Sequence, residues 1–218
     1  DPEATHQHKT ALIPYENADS DGQVRSLEYM KNVRELADKY HLPIHLDGAR
    51  IFNAATVLGV EAKEIAQYAD SVSVCLSKGL CAPVGSVLVG SKEFIAVARR
   101  KRKIIGGGMR QVGILAAAGK IALNVMSKRL QEDHDNAKYM AEALCGVKGL
   151  EVYKERQQIN MVFFRLKDYP LSSAELVDYM AKHDVIINGE DNGIMRFATH
   201  KYVTREEIDK VVDLMKQV

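Results

Sequence analysis

Apolar residues along this chain follow two periods in turn, and the switches between them lay out its elements. Residues 10–17, "TALIPYEN", and 42–47, "LPIHLD", are short apolar runs with polar bounds, the pattern of strands. Between them, 26–41, "SLEYMKNVRELADKYH", places Leu27, Met30, Val33, Leu36 and Ala37 on one helical face. Short helices are expected over 49–59 and 60–69, then a Val-rich strand over 71–75 and another over 86–90, the latter a candidate hairpin partner of the former. This strand–helix rhythm predicts a mainly parallel sheet covered by helices. From Ser91 the pattern turns helical through 91–103, 109–126 and 127–147. After Gly149 it changes again, with strands expected over 150–155, 160–166, 185–189 and 194–200, and helices over 172–183 and 204–218. The expected architecture is α/β: part of a large domain over 1–125, then a connecting helix and a small α+β C-terminal domain over 126–218.

Composition narrows the function classes. The 218 residues carry 30 Lys and Arg against 29 Asp and Glu, a net charge of +1, so no electrostatic argument favours nucleic acid or an anionic membrane as partner. No apolar run reaches transmembrane length, and no charged-then-apolar signal segment opens the chain. Three cysteines, an odd number, argue against a disulfide scaffold and suit a reducing cytosol, so a cytoplasmic location is expected. Cys75 and Cys81 do not have zinc-finger spacing, and with Cys145 they read as small apolar packing residues; no metal site is expected. The chain opens Asp1-Pro2 and its first methionine is Met30, which leads to the expectation that a segment ahead of it has been removed.

The candidate chemistry sits at strand ends. In "SVSVCLSKGLCAPVGSVLVG", Lys78 is a single cation in an apolar stretch, just past a strand and ahead of a glycine turn. Either it snorkels to water along its stem, or it is held where its amine acts as a nucleophile toward a carbonyl compound. Asp47 ends the strand before "GARIFNAA" and is either a helix N-cap or a ligand-facing carboxylate. In open α/β sheets, ligands bind beyond the carboxyl ends of the strands. A lysine and an acid on neighbouring strand ends match the needs of pyridoxal phosphate, which takes a lysine amine and a carboxylate at its ring nitrogen.

The blocks "HLDGARIFNAA", "CLSKGLCAPVGSVLVG", "RRKRKIIGGGMRQVGILAAAG" and "MRFATH", in that order, resemble those of the low-specificity L-threonine aldolases. These are pyridoxal-phosphate lyases of the aspartate-aminotransferase-like, fold-type-I class, and the resemblance runs nearly end to end. It implies that Lys78 forms the Schiff base and that Asp47 keeps the pyridine nitrogen protonated. It implies that Arg50 and Arg196 bind the substrate carboxylate, a group that planar guanidiniums grip with paired hydrogen bonds, and that Arg50 also belongs to the cofactor-binding set. Arg110 and Lys103 resemble cationic positions near the cofactor phosphate, while "RRKRK" by itself also reads as a solvated helix face.

The implied activity is retro-aldol cleavage of L-threonine or L-allo-threonine to glycine and an aldehyde, by a homodimer or homotetramer acting on a small amino acid. Family members carry a further N-terminal segment with phosphate-cradling residues and a histidine that stacks on the cofactor. His6 and His8 match no such histidine, and His45 and His200 read as structural. The alternatives are another fold-type-I enzyme, a β-eliminating lyase or aminotransferase, or an inactive piece that needs the missing segment.

Overall fold

The computed structural model describes residues 9–218, so His6 and His8 lie outside the described residues. The short apolar runs form β1 (Ile13–Glu16), β2 (Ile44–Asp47), β3 (Ser71–Cys75) and β4 (Ser86–Gly90), ordered β1-β2-β3-β4 in one sheet. The first three are parallel and joined through α1 (Leu27–Lys39), then α2 (Ile51–Leu58) and α3 (Ala62–Ala66), as the sequence rhythm predicts. β4 returns antiparallel to β3, the expected hairpin. Parallel pairing brings the carboxyl ends of the strands into line: Glu16 lies beside Asp47, and Asp47 beside Ser73. His45, on the opposite face of β2 from buried Ile44 and Leu46, has Nδ1 2.8 Å from Ser71 Oγ on β3, which accounts for it structurally.

Helices α4 (Lys92–Ile104) and α5 (Gly113–Asn124) lead to α6 (Leu130–Leu144), which crosses to a second, antiparallel sheet. That sheet contains β5 (Leu150–Val152), β6 (Met161–Leu166) and β7 (Met195–Ala198) in the order β5-β6-β7, with α7 (Ser173–Ala181) and α8 (Arg205–Lys216) completing the layer. Both α7 and α8 start with capping boxes, Ser172 with Glu175 and Thr204 with Glu207. Two apolar cores result, and β6 belongs to both. Ile159, Met161 and Phe163 face the first core, whereas Val162 and Phe164 face the second. A strand buried on both sides explains the unbroken apolar run "MVFF".

Two expectations differ from the structure. Val185–Gly189 is not a strand: Val185 N donates to Met180 O at the end of α7, Glu190 N donates to Ser173 Oγ, and Ile186 is 95% exposed. The donors of this segment are drawn toward α7, leaving only the Asp191–Ile194 bridge beside β7. Cys145 is exposed rather than packed, at the C-terminal end of α6.

Candidate functional site

Arg50 at the entry to α2, the loop after β3 and one strand of the second sheet converge on a single cleft, and Asp47, at the end of β2, is not among the residues that line it. The register of β6 and β7 decides what the second sheet contributes. Arg196 pairs with Phe163, and Ala198 with Met161. Cross-strand partners share a face, and Phe163 and Met161 pack on the first core. Arg196 and Ala198 therefore look toward the first sheet while Met195 and Phe197 are buried behind them.

The cleft has a volume of about 410 Å³, and its walls include Arg50, Lys78, Asn160, Arg196, His200 and Tyr202. Lys78 stands in the loop after β3, in a tight turn closed by Cys81 N donating to Lys78 O at 2.9 Å. Its side chain makes no ion pair among the described residues, so its amine is free of a carboxylate partner.

Asp47 is anchored at the end of β2. Its Oδ1 accepts from Ala49 N at 3.0 Å and from Ser73 Oγ at 3.4 Å. The aspartate thus stabilises its own turn and still keeps Oδ2 uncommitted. Gly48 is required beside it, because a side chain there would begin 2.9 Å from Val72 and 3.0 Å from Ser73 O.

Arg50 follows at the entry to α2, with its side chain only 14% exposed and Nη1 3.9 Å from Glu16 Oε1. Burial lowers the pKa of its guanidinium, Glu16 pulls the other way, and the nearby charge of Arg196 adds to the lowering. Burial likewise raises the Glu16 carboxyl, with Asp47 adding to the rise and Ser20 N and Arg50 opposing it. The three cations Arg50, Lys78 and Arg196 outnumber the two strand-end carboxylates Glu16 and Asp47, a positive bias that suits an anionic ligand.

Cys75 ends β3 below this cleft, and although burial pushes its thiol up, Ser77 and the Lys78 charge outweigh that and lower it overall.

Not every expected residue comes here. Arg110 and Lys103 are exposed, on the loop after α4 and on α4 itself, and neither lines the cleft. His200 does line it, with its Nδ1 accepting from Tyr202 N at 3.2 Å. Sequence reasoning does not reach Glu16, Asn160 and Tyr202. Glu16 carries the same signal as Asp47, an acid at the end of a parallel strand, whereas Asn160 and Tyr202 carry no local signal. Among the described residues no group of three His, Cys, Asp or Glu side chains gathers as a metal site, and no helix is long and apolar enough to cross a membrane. A second groove, of about 480 Å³, is lined from β7 and α8, with Asp184, Ile186, Glu207 and Lys210 among its walls, and it shares Arg196 with the cleft.

The model of one family, described as beta-eliminating lyase, matches residues 1–167. The chain belongs to the beta-eliminating lyase family. Within that frame it is 48% identical to a low-specificity L-threonine aldolase of Escherichia coli K12 over 96% of this chain and 61% of that protein. It is 40% identical to the low-specificity L-threonine aldolase 1 of Arabidopsis thaliana over 98% of this chain, again 61% of the relative. The chain thus spans about three fifths of the length of the curated relatives it matches. Among solved structures, a threonine aldolase of Leishmania major superposes with a TM-score of 0.70 at 15% identity, covering 95% of this chain and 60% of that one. At that identity the likeness establishes the fold, an α/β architecture with a mostly parallel first sheet.

Proposed function

We propose that the protein of which this chain is part is a pyridoxal-phosphate-dependent lyase that cleaves L-threonine or L-allo-threonine to glycine and acetaldehyde. The observation that carries the reading is the convergence of the Lys78 amine with the Arg50 and Arg196 guanidiniums in one cleft, beside the strand end occupied by Asp47.

The residues present fit the cofactor. Lys78 has a free amine facing a cleft, Asp47 keeps one oxygen uncommitted, and close backbone approach at Gly48 keeps the floor narrow. Lys78 would hold the cofactor covalently, and Asp47 would keep its ring nitrogen protonated. When bound, the cofactor supplies an electron-accepting ring that makes cleavage next to an amino-acid α-carbon accessible.

The chain's own residues select which bond breaks. Arg50 comes from the first sheet and Arg196 from the second, so a substrate carboxylate gripped by both is fixed in position and in angle. Fixing the carboxylate fixes the rotation about the α-carbon, and with it the bond presented for cleavage. Arg50 is the stiffer half of the clamp, because burial and Glu16 confine it. Arg110 and Lys103 belong to the reading as phosphate-side cations supplied from a neighbouring subunit, since both are exposed and outside their own cleft.

An assembly into homodimers or homotetramers is part of the same reading. It is supported by Ile104, Ile105, Met109 and Ile114, each more than half exposed on the α4–α5 face. We also read the large domain as 1–125 and the connecting helix with the small domain as 126–218, and place the protein in the cytoplasm, where free Cys75, Cys81 and Cys145 would stay reduced.

A second reading has support in the family description itself: β-elimination, yielding a keto acid and ammonia. The full-length protein, loaded with pyridoxal phosphate and given L-threonine, distinguishes them. Glycine and acetaldehyde in equal amounts are expected, and a keto acid as the main product overturns the aldolase reading. Lys78→Ala should remove both the visible band of bound cofactor and the borohydride-trapped label on the peptide that contains position 78.

A further inference from the structure

A buried polar cluster that the proposed chemistry does not use begins in the cleft's wall, at Asn160 and Thr199, and continues behind it. Asn53 on α2 donates from Nδ2 toward His134 Nε2 at 3.0 Å and toward Asn160 Oδ1 at 3.3 Å. Asn160 donates from Nδ2 to Thr199 O at 2.7 Å, and Thr199 N returns a bond to Asn160 O at 3.0 Å. Thr199 Oγ1 donates to Asp133 O at 2.5 Å, and the Asp133 carboxylate is held bidentately by Arg129, at 2.7 and 3.2 Å.

Asn53, Asp133, His134, Asn160 and Thr199 are all at least nine-tenths buried. The buried side-chain polar atoms without a partner among the described residues are Tyr15 Oη and Arg34 Nε, neither of them here. Satisfied buried networks fix geometry, because each member's alternative is an unpaired polar group in a low-dielectric interior.

The cluster's position gives that rigidity a purpose. Asn53 is one helical turn beyond Arg50, Thr199 is three residues beyond Arg196, and Gly79 follows Lys78 directly. Gly79 rests on the cluster: a side-chain carbon there would stand 3.0 Å from Leu130 Cδ2, 3.8 Å from Asp133 Oδ2 and 3.9 Å from Asn53 Oδ1. Each of the three cationic groups in the cleft is therefore tied to the same cluster within three residues, although they come from three elements and two sheets.

We propose that Thr199 and Asn160 are positioning residues that rivet the end of β7 to α2, α6 and the Lys78 loop, and so set the distance across which Arg50 and Arg196 grip a carboxylate. The inference rests on the carboxylate-clamp reading of Arg50 and Arg196. It predicts a defect selective for ligands with a carboxylate, which loss of general stability does not produce.

Thr199→Val keeps the shape of the side chain and removes the Oγ1 bond, whereas Thr199→Ser keeps that bond. In the full-length protein loaded with pyridoxal phosphate, glycine and methylamine are titrated by the change in cofactor absorbance. Thr199→Val should weaken glycine about tenfold, the equivalent of about one net hydrogen bond, and leave methylamine within about twofold. Thr199→Ser should restore glycine to near the unsubstituted value. Equal losses for both ligands, or an unchanged glycine affinity, overturn the proposal.

Amide hydrogen exchange without any ligand tests the rivet separately from the clamp reading. Thr199→Val should speed exchange together in 76–82 and 195–203 while leaving α1 unchanged. Acceleration confined to 195–203 overturns the rivet even if threonine cleavage proves correct. If Thr199→Val does not fold, Asn160→Ser is put through the same titration and exchange measurements, with the same outcomes deciding.

Discussion

At the scale of single residues, the clamp proposed for Arg50 and Arg196 would divide its work unequally. Arg50 is confined by burial and by Glu16, whereas Arg196 projects from an exposed position on β7 into the shared cleft. Removing Arg196 should therefore leave the cofactor seated and cost only the grip on the substrate. Arg196→Ala is expected to preserve the absorbance of bound pyridoxal phosphate while weakening glycine and threonine alike by roughly one to two orders of magnitude, the value of a charged hydrogen-bonded pair. A spectral titration checks both halves. Loss of the cofactor band in a folded variant would assign Arg196 to the cofactor instead. Lys78 and Asp47 are legible in the sequence because strand ends carry a local signature, an apolar run stopped by one polar residue, whereas Arg50 is reached only through the family resemblance. Glu16 carries that signature too, but no motif around it marks it out. Asn53, Asn160 and Thr199 cannot be read this way: their bonds join positions 107 and 39 residues apart. The pairing of β6 with β7 joins Asn160 to Thr199, and the packing of α6 on α2 and β6 brings in Asn53.

Elements show the same division between local and long-range information. Helix positions follow from periodicity and caps, and the β3–β4 hairpin from two Val-rich runs that flank the 76–85 loop. Val185–Gly189 has as much strand character as β7, and Asn192 and Gly193, both at positive φ, even supply a two-residue reversal of the hairpin kind at the Asp191–Ile194 bridge. Competition from α7 for the donors of Val185 and Glu190 is not visible in composition. β6 is the element on which most depends, because it faces both cores. Phe164 is fully buried at its centre and meets Phe197 of β7 with ring centroids 4.9 Å apart. Phe164→Ala is therefore expected to cost about 3–5 kcal/mol, the range for emptying an aromatic site in a core. Urea unfolding should show the loss as a lower midpoint with an unchanged slope. A cost below about 1 kcal/mol would mean the second core collapses into the gap, and the sheet does not depend on that pair.

For the whole molecule, what the sequence discloses is the order of two sheets and not how they lock. The lock is the shared strand β6 together with the polar cluster, and one member of that cluster makes stability depend on acid. His134 is only 6% exposed, and Asn53 donates to its Nε2, a bond that requires the unprotonated imidazole. Burial lowers its pKa from 6.5 to about 4, with Asp135 opposing. The unfolded chain therefore binds a proton at this position between about pH 6.5 and 4 that the folded chain refuses, so stability rises with pH through that window and is lost as pH falls through it. The full effect is on the order of 3 kcal/mol. Asp133, whose carboxyl is raised by burial despite Arg129, acts in the opposite sense: its share is present at low pH and fades as pH rises through its folded pKa. Because Asp133 is common to both proteins, comparison with His134→Gln isolates the histidine. Glutamine can accept from Asn53 through its amide oxygen but does not titrate. Unfolding free energies measured at pH 7 and pH 4 should fall further in the unsubstituted protein than in the variant, by on the order of 3 kcal/mol. If the two proteins lose the same stability on acidification, the proton is accommodated elsewhere, and the bond from Asn53 to His134 is not what ties α2 to α6.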